Sequence, residues 1–286
     1  MKTSATRLLY LALVIFAPMA MAQQPGGAKP AATASAPNTA AGKAAAASAQ
    51  RETDENLART FMATKRYSEA SAIYEKLAKT YSREPTYFNL AGIAHMQLGD
   101  LKGARKWFER CIKTEPRFAD AYNNFGATWY MEKNFKRALQ NYQRAVALQP
   151  GVAGYHTNVG YAYFSLKLPV EAEQAFRRAL LMNPAIFQQN DRTGSVLQDR
   201  SVVDKGLFAF TMAKSYAGTG DAVYCAAYLR RAIEEGYKNM ALVYTDPGFA
   251  PVLSTPEVQA VLTMIATGGN AATAAPARTP GAAHQR

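Results

Sequence analysis

The sequence predicts an all-α fold in which short helical units stack into an α-solenoid. Two observations predict this fold: a repeat of 34 residues, and the register of small and aromatic residues within it. When three units are aligned, six columns of equivalent residues stay 34 positions apart. The columns are Pro116, Pro150 and Pro184; Gly92, Gly126 and Gly160; Ala104, Ala138 and Ala172; Phe108, Tyr142 and Phe176; Cys111, Ala145 and Ala179; and Phe88, Tyr122 and His156. A repeat of this length is typical of solenoids, because one unit cannot bury its own apolar face and must stack on the next.

The N-terminus has the pattern of a secretory signal peptide. Lys2 and Arg7 give a positive start, Leu8–Phe16 is an unbroken apolar run, and a small-x-small motif ends at Ala22. The alternative is an uncleaved membrane anchor, but the run is shorter than a span of about 20 residues and Pro18 interrupts its end. The sequence therefore predicts that the first 22 residues are cleaved off, that the protein is exported to the periplasm or secreted, and that the mature chain has no transmembrane anchor.

Two segments contain too little apolar material to fold. Residues 23–50 hold twelve Ala among 28 residues, and most of the others are Pro, Gly, Ser, Thr and Gln. This composition is typical of a disordered tether. The stretch Ala44–Ala47 is able to extend the first helix, because Ala has the best helix propensity. Residues 267–286 have the same character and are predicted to be a disordered tail.

Four units between residues 51 and 184 resemble the tetratricopeptide repeat family. The residues that carry the resemblance are Leu57-Ala58, Phe61, Tyr67, Ala70, Tyr74 and Leu77 in the first unit, Tyr122, Phe125-Gly126, Trp129, Phe135, Ala138, Tyr142 and Pro150 in the third, and Val159-Gly160, Tyr163, Ala172, Phe176 and Ala179 in the fourth. The resemblance implies that each unit is a pair of antiparallel helices, A and B, and that the pairs stack into a right-handed superhelix. In this family, helices A line the concave groove and helices B form the convex face.

The C-terminal third is assigned around these repeats. Residues 185–205 break the phase and are interpreted as an inserted segment. Residues 206–239 resemble a degenerate repeat, and together with a last helix they make up a segment over residues 206–266. Thr255 is a plausible cap for that helix and Pro256 suits its first turn. We expect the helix to cover the open end of the stack.

The candidate binding site lies on the groove that the resemblance implies. Several peptide-binding members of the family use asparagines on helices A to hold a ligand backbone, whereas others clamp a carboxylate with basic residues that are absent here. The candidate residues are Asn89, Asn123, Asn124, Tyr130, Asn158, Tyr161 and Phe164. The alternative is that the asparagines are solvated and the aromatic residues pack against the inserted segment after Pro184.

Positive charge is concentrated in the middle of the chain. The formal net charge is +12, and residues 101–178 contain thirteen basic and six acidic residues. The candidates on the convex helices B are Lys102, Lys106, Arg110, Lys136, Arg137 and Arg144. Such a face fits an anionic envelope surface or an acidic protein; basic clusters also bind nucleic acid, but export disfavours that partner. The alternative is that the charge serves solubility alone.

The sequence contains no catalytic constellation. It lacks the phosphate-binding loop, the H-E-x-x-H zinc motif and the nucleophile elbow, and it has too few Cys and His residues for most metal centres. His95 lies in a packing column with no obvious partner carboxylate. Cys111 and Cys225 lie in core columns three units apart, beyond disulfide reach, and are predicted to be buried free thiols. We therefore predict neither metal nor cofactor.

The predicted function is a non-enzymatic interaction module of the cell envelope. The expected partner is an extended protein segment bound in the concave groove. One alternative is a structural adaptor in an envelope assembly, which acts through its basic convex face. A more remote alternative is an enzyme, for which no residue set was found.

Overall fold

The computed structural model describes residues 39–188 and 203–267. In these residues helices alternate with short turns and no strand occurs. Ten helices form five antiparallel pairs, and in chain order they are α1 (Ala40–Ala63), α2 (Tyr67–Thr80), α3 (Pro85–Gln97), α4 (Leu101–Thr114), α5 (Ala119–Met131), α6 (Phe135–Leu148), α7 (Ala153–Ser165), α8 (Pro169–Met182), α9 (Lys205–Ala217) and α10 (Ala222–Glu234). Each helix packs against the next one along the chain. The predicted all-α solenoid of helix pairs is confirmed.

The turn inside each of the first four pairs repeats with the same backbone geometry. Lys65, Lys133 and Lys167 have φ angles of 60°, 60° and 63°, and Gly99 has a φ of 80°. These four positions follow one another at the 34-residue spacing of the repeat. In each case the next residue donates its backbone N–H to the carbonyl five residues before it, at 2.8–3.0 Å. This left-handed closure ends helix A and reverses the chain into helix B.

Three glycines let the two helices of a pair approach closely. A Cβ atom on Gly92 would lie 2.5 Å from the ring of Phe108, and one on Gly160 would lie 2.4 Å from the ring of Phe176. At Gly126 the corresponding distance to the ring of Tyr142 is 2.8 Å. The predicted role of this column in helix packing is confirmed, because a side chain at any of these positions would displace a buried ring.

A cap of short elements follows the fifth pair. It consists of α11 (Leu242–Thr245), a 3₁₀ turn (Pro247–Phe249) and α12 (Pro256–Ala266), and α12 packs against α10. The end of the stack is therefore covered as expected. Thr255 precedes α12, but its hydroxyl donates to the carbonyl of Val252 at 2.7 Å and caps no N–H group. Thr255 thus holds the predicted N-cap position and Pro256 the first turn, but the cap has no side-chain bond.

The first helix begins earlier than the sequence indicated. Residues 40–50 were predicted to belong to the disordered tether, but α1 starts at Ala40, and the hydroxyl of Thr39 accepts the N–H of Gly42 at 3.0 Å. The predicted disorder is wrong for this stretch, although Ala44–Ala47 do extend the first helix as the sequence allowed. A capped, Ala-rich run lengthens the helix of the first repeat toward the N-terminus.

Several predicted segments lie outside the described residues. They are the signal peptide (1–22), the tether up to residue 38, most of the inserted segment (189–202) and the tail from residue 268. None of the described helices combines the length and the apolar character that crossing a membrane requires.

Candidate functional site

Four asparagines on α3, α5 and α7 form a chain of hydrogen bonds, which we call the asparagine ladder (Asn89, Asn124, Asn123 and Asn158). The Asn124 amide donates to Asn89 Oδ1 at 3.1 Å, and the Asn158 amide donates to Asn123 Oδ1 at 2.7 Å. Within α5, Asn123 Nδ2 donates to Asn124 Oδ1 at 3.3 Å. The ladder therefore connects the helices A of three successive units.

The ladder is buried between these helices. Its four residues are 2–7% exposed, so the alternative that the asparagines are solvated is wrong. A primary amide offers two N–H donors and an oxygen with two acceptor positions. The bonds within the ladder engage one donor and the oxygen of both Asn123 and Asn124. The same side chains that were predicted to meet a ligand thus also hold neighbouring units together.

Apolar side chains lie beside the ladder on the same helix faces. Ile93 and Met96 on α3 are four and seven residues beyond Asn89, and Met131 on α5 is seven beyond Asn124, so these side chains share the face of the ladder. Ile93 and Met96 belong to one buried cluster, and Met131 packs against it while remaining partly exposed. The ladder is thus a polar line with an apolar border, and Met131 is the partly exposed member of that border.

The predicted aromatic residues hold different positions from those expected of open pockets. Tyr161 stacks on Phe208 of α9 with ring centroids 5.7 Å apart, and Phe164 meets Phe208 edge-on at 5.2 Å. Both residues are at most 9% exposed. Their partner is therefore the fifth pair, whereas in the described start of the inserted segment Phe187 packs on Phe176, at 5.6 Å.

Tyr130 makes a contact that the sequence analysis missed. Its hydroxyl lies 2.9 Å from Ser165 Oγ on α7. The two residues are 35 positions apart, as are the bonded pairs Asn89–Asn124 and Asn123–Asn158. An offset of 35, one residue longer than the repeat, therefore identifies side chains that meet across successive helices A, and it would have found Ser165.

The six basic candidates lie exposed on the outer helices α4 and α6. Three of them cover aromatic rings: the Arg110 guanidinium lies 4.8 Å from the centre of Trp107, that of Arg137 4.6 Å from Trp129, and that of Arg144 5.8 Å from Tyr122. The structure adds a seventh residue. Arg105 also covers Trp129, at 4.4 Å, and its Nη2 donates to Glu132 at 2.9 Å.

His95 has carboxylate partners that the sequence analysis missed. Its Nε2 lies 2.9 Å from Glu75 Oε1 on α2, and its Nδ1 lies 2.9 Å from Asp100 Oδ2 in the turn before α4. The statement that His95 lacks a partner carboxylate is wrong. The carboxylates face opposite edges of the ring and do not converge on one point, so the contact clamps the first unit to the second.

Nowhere in residues 39–188 and 203–267 do three or more His, Cys, Asp or Glu side chains form a group that could hold a metal ion.

The two thiols occupy the positions that the repeat predicted. Cys111 and Cys225 are free and buried, so this prediction is confirmed. Burial raises the pKa of each thiol to about 12. Both thiols therefore stay protonated at neutral pH and act as small apolar side chains.

Comparison with known proteins finds a likeness for the repeats. Residues 55–124 and 127–191 match the family model described as tetratricopeptide repeat. Among solved structures, the chain is similar to MamA (residues 41 to the end) from Desulfovibrio magneticus RS-1, with 19% identity over 65% of this chain and 94% of that one and a TM-score of 0.46. It is also similar to TTC0263, a thermophilic TPR protein of Thermus thermophilus, with 18% identity over 71% and 98% of the two chains and a TM-score of 0.44. No curated protein sequence matches the chain significantly.

Proposed function

We propose that this protein, which carries tetratricopeptide repeats in residues 55–124 and 127–191, is a non-enzymatic interaction module that binds an extended protein segment on the face of its helices A. The observation that carries the proposal is the asparagine ladder with its apolar border. Repeats of this family are protein-binding scaffolds, and the ladder is a polar line on the helices that such scaffolds offer to a ligand.

The spacing of the ladder suits a peptide in extended conformation. Packed helices lie about 8–10 Å apart, and an extended chain rises about 3.3 Å per residue. Three residues of ligand therefore span one unit. An amide side chain pairs with a peptide unit whatever the side chain next to it, so this site would select for an extended backbone more than for a particular sequence.

The compartment is part of the proposal. The N-terminal pattern around Leu8–Phe16 and Ala22 supports export, and the exported protein would meet its partner in the cell envelope.

Selection of random dodecapeptides displayed on phage tests the groove. We expect the intact protein to enrich apolar, extended sequences. The pair Asn124→Ala and Asn158→Ala should weaken the selected peptides about tenfold, because each lost hydrogen bond is worth about 0.5–1.5 kcal/mol. Met131→Glu, which leaves the ladder intact, should weaken them as well, since it places a charge on the apolar border.

A matched control removes amides from the outer surface. Gln140→Ala with Gln174→Ala deletes two exposed amides on α6 and α8, and peptide affinity should not change. Thermal melts of all variants separate loss of binding from loss of fold. Selection without enrichment, or equal affinity in the ladder and control pairs, would contradict the proposed function.

A further inference from the structure

We propose that α4 and α6 form a second binding surface, whose partner is an acidic protein segment. The surface, which we call the arginine–aromatic stripe, consists of the four stacked arginines and the rings beneath them. Its members are Arg105, Arg110, Arg137 and Arg144, with Trp107, Trp129 and Tyr122. Its arginines lie on the outer helices α4 and α6, whereas Trp129 and Tyr122 belong to α5 and support them from the inner layer.

The positive charge is concentrated on these two outer helices. α4 carries five basic residues and one acidic residue, and α6 carries three basic residues and no acidic one. The outer helices on either side, α2 and α8, each carry two of both signs. Charge that served solubility alone would be mixed with the opposite sign over the surface, so its concentration at the middle of the stack points to a partner.

Three of the four arginines of the stripe make no ion pair in the part of the chain that the structure describes. Of the eight basic residues on α4 and α6, Arg105 makes an ion pair with Glu132 at 2.9 Å, and no other ion pair of the eight occurs in the part of the chain that the structure describes. Lys102, Lys106 and Lys136 are exposed beside the arginines. An anionic segment would therefore meet several open cationic groups at once.

The aromatic rings order the guanidinium groups before any partner arrives. A stacked guanidinium keeps the N–H groups at its edge free for a ligand, and a planar carboxylate accepts two of them at once. A side chain that is already held in place loses less entropy on binding. Arg110, Arg137 and Arg144 are exposed and make a row of pre-ordered carboxylate sites on two successive outer helices, whereas Arg105 is already paired with Glu132.

The state of the rings favours a protein segment over a bilayer or a nucleic acid. Insertion into lipid and stacking of bases both require aromatic faces that are free. Trp107 is only 8% exposed, and the ring of Trp129 carries two guanidinium groups. These rings serve as supports for arginine and offer little apolar surface of their own, which argues against base stacking and insertion into lipid. The stripe would bind through its guanidinium groups, and the carboxylates of a flexible acidic segment are the partner we infer for them.

Fluorescence anisotropy with a labelled Glu-rich dodecapeptide tests the inference on the full mature chain. We expect saturable binding that weakens as salt is raised. The triple variant Arg110→Gln, Arg137→Gln and Arg144→Gln should lose affinity about tenfold. The small contributions of three exposed ion pairs add up to a loss of this size. Replacing the same three residues by Lys should also weaken binding, because Lys keeps the charge but has no planar fork.

A control variant changes the net charge equally at other places. Lys43→Gln, Arg178→Gln and Lys238→Gln remove three exposed charges outside α4 and α6, and they should leave the affinity within about twofold. Equal losses in both triple variants would overturn the inference in favour of general charge attraction. If the protein bound phosphatidylglycerol vesicles or duplex DNA more tightly than the Glu-rich peptide, and the stripe variant lost that binding while the control variant kept it, the choice of partner would be overturned. The ladder pair Asn124→Ala and Asn158→Ala should bind the acidic probe normally, which separates this surface from the groove.

Discussion

Tyr142 lies in the core of the third unit with its hydroxyl buried and, among the described residues, without a hydrogen-bond partner. The same column holds Phe108 and Phe176 in the neighbouring units. We expect Tyr142→Phe to raise the free energy of unfolding by about 1 kcal/mol, because a buried hydroxyl without a partner costs about 1–3 kcal/mol. Urea unfolding followed by circular dichroism measures the change.

Tyr155 provides the matched control for this substitution. It is also buried, but its hydroxyl donates to Asp120 on the preceding helix A. Tyr155→Phe should therefore destabilise the protein by about 1–2 kcal/mol. If both substitutions moved stability in the same direction, the assignment of a lone hydroxyl to Tyr142 would be wrong.

Glu173 on α8 is 6% exposed, and its nearest cationic partner, Arg177 Nη1, lies 3.6 Å from its Oε1. Burial raises the pKa of Glu173, and Arg177 and Lys214 offset only part of that rise. A raised pKa means that the folded state binds the proton more tightly than the unfolded state. The contribution of Glu173 is therefore most favourable below the unfolded glutamate pKa and is lost as the pH rises through the folded value.

Glu173→Gln should remove this pH dependence. We expect the variant to be more stable than the parent at pH 7, by about 1 kcal/mol, and equally stable near pH 4, where the parent carboxyl is protonated. Melting temperatures at the two pH values report the difference. Glu171→Gln, an exposed change in the same helix, should show no such difference. If the parent became more stable relative to Glu173→Gln as the pH rises, the argument would be refuted.

Single residues mark the limit of what the sequence could predict. The repeat placed Asn124 and Asn158 in one column, yet they bond to Asn89 and Asn123, because side chains across successive helices A are offset by 35 residues. Carboxylate partners of His95 come from another helix and from a turn. Contacts of this kind depend on the angle between units, which spacing alone does not give.

At the scale of elements, the close approach of the paired helices depends on Gly126. Gly126→Leu should destabilise the protein by about 3 kcal/mol or more, because the new side chain would overlap the ring of Tyr142 and force the third pair apart. Gly151→Leu is the control, since no atom lies within 4 Å of its Cβ position. Thermal melts compare the two variants, and equal losses would remove the packing argument.

The turns inside the pairs contain a correctable strain. Lys133 adopts a φ of 60° where Gly99 serves in the second unit. This left-handed conformation costs a residue with a side chain about 1–2 kcal/mol. Glycine avoids that cost, but it keeps only part of the gain because it has more freedom in the unfolded chain. We expect Lys133→Gly to stabilise the protein by about 0.5–1 kcal/mol in urea unfolding. Gln140→Gly, in the interior of α6, should instead destabilise it by about 1 kcal/mol.

The sequence predicted the positions of the helix pairs better than it predicted where individual helices begin and end. Closing prolines and small-residue columns placed the helix pairs correctly, because both are direct requirements of the packing. The early start at Ala40 was missed, since an Ala-rich sequence without large apolar residues is equally compatible with a tether. The strained turn residues were hidden as well, because three of the four are lysines, a residue type that gives no hint of a positive φ.

At the scale of the whole molecule, the prediction concerns the mature chain. The positive start, the apolar run and the motif that ends at Ala22 predict a mature N-terminus at Gln23. Intact mass spectrometry of the protein purified from its native source measures this directly. A chain that retains Met1, or that carries a lipid adduct, would contradict both the cleavage and the exported location.

The two bonds of the asparagine ladder that cross between helices join residues 35 positions apart, and so does the bond from Tyr155 to Asp120. Contacts between units therefore have low contact order, and little loop-closure entropy has to be overcome before one unit docks on the next. Folding is able to nucleate in any unit and to propagate in both directions, while unfolding starts at the termini. A weakened unit in the middle would divide the stack into two cooperative blocks, so that part of the protein stays folded while the rest opens.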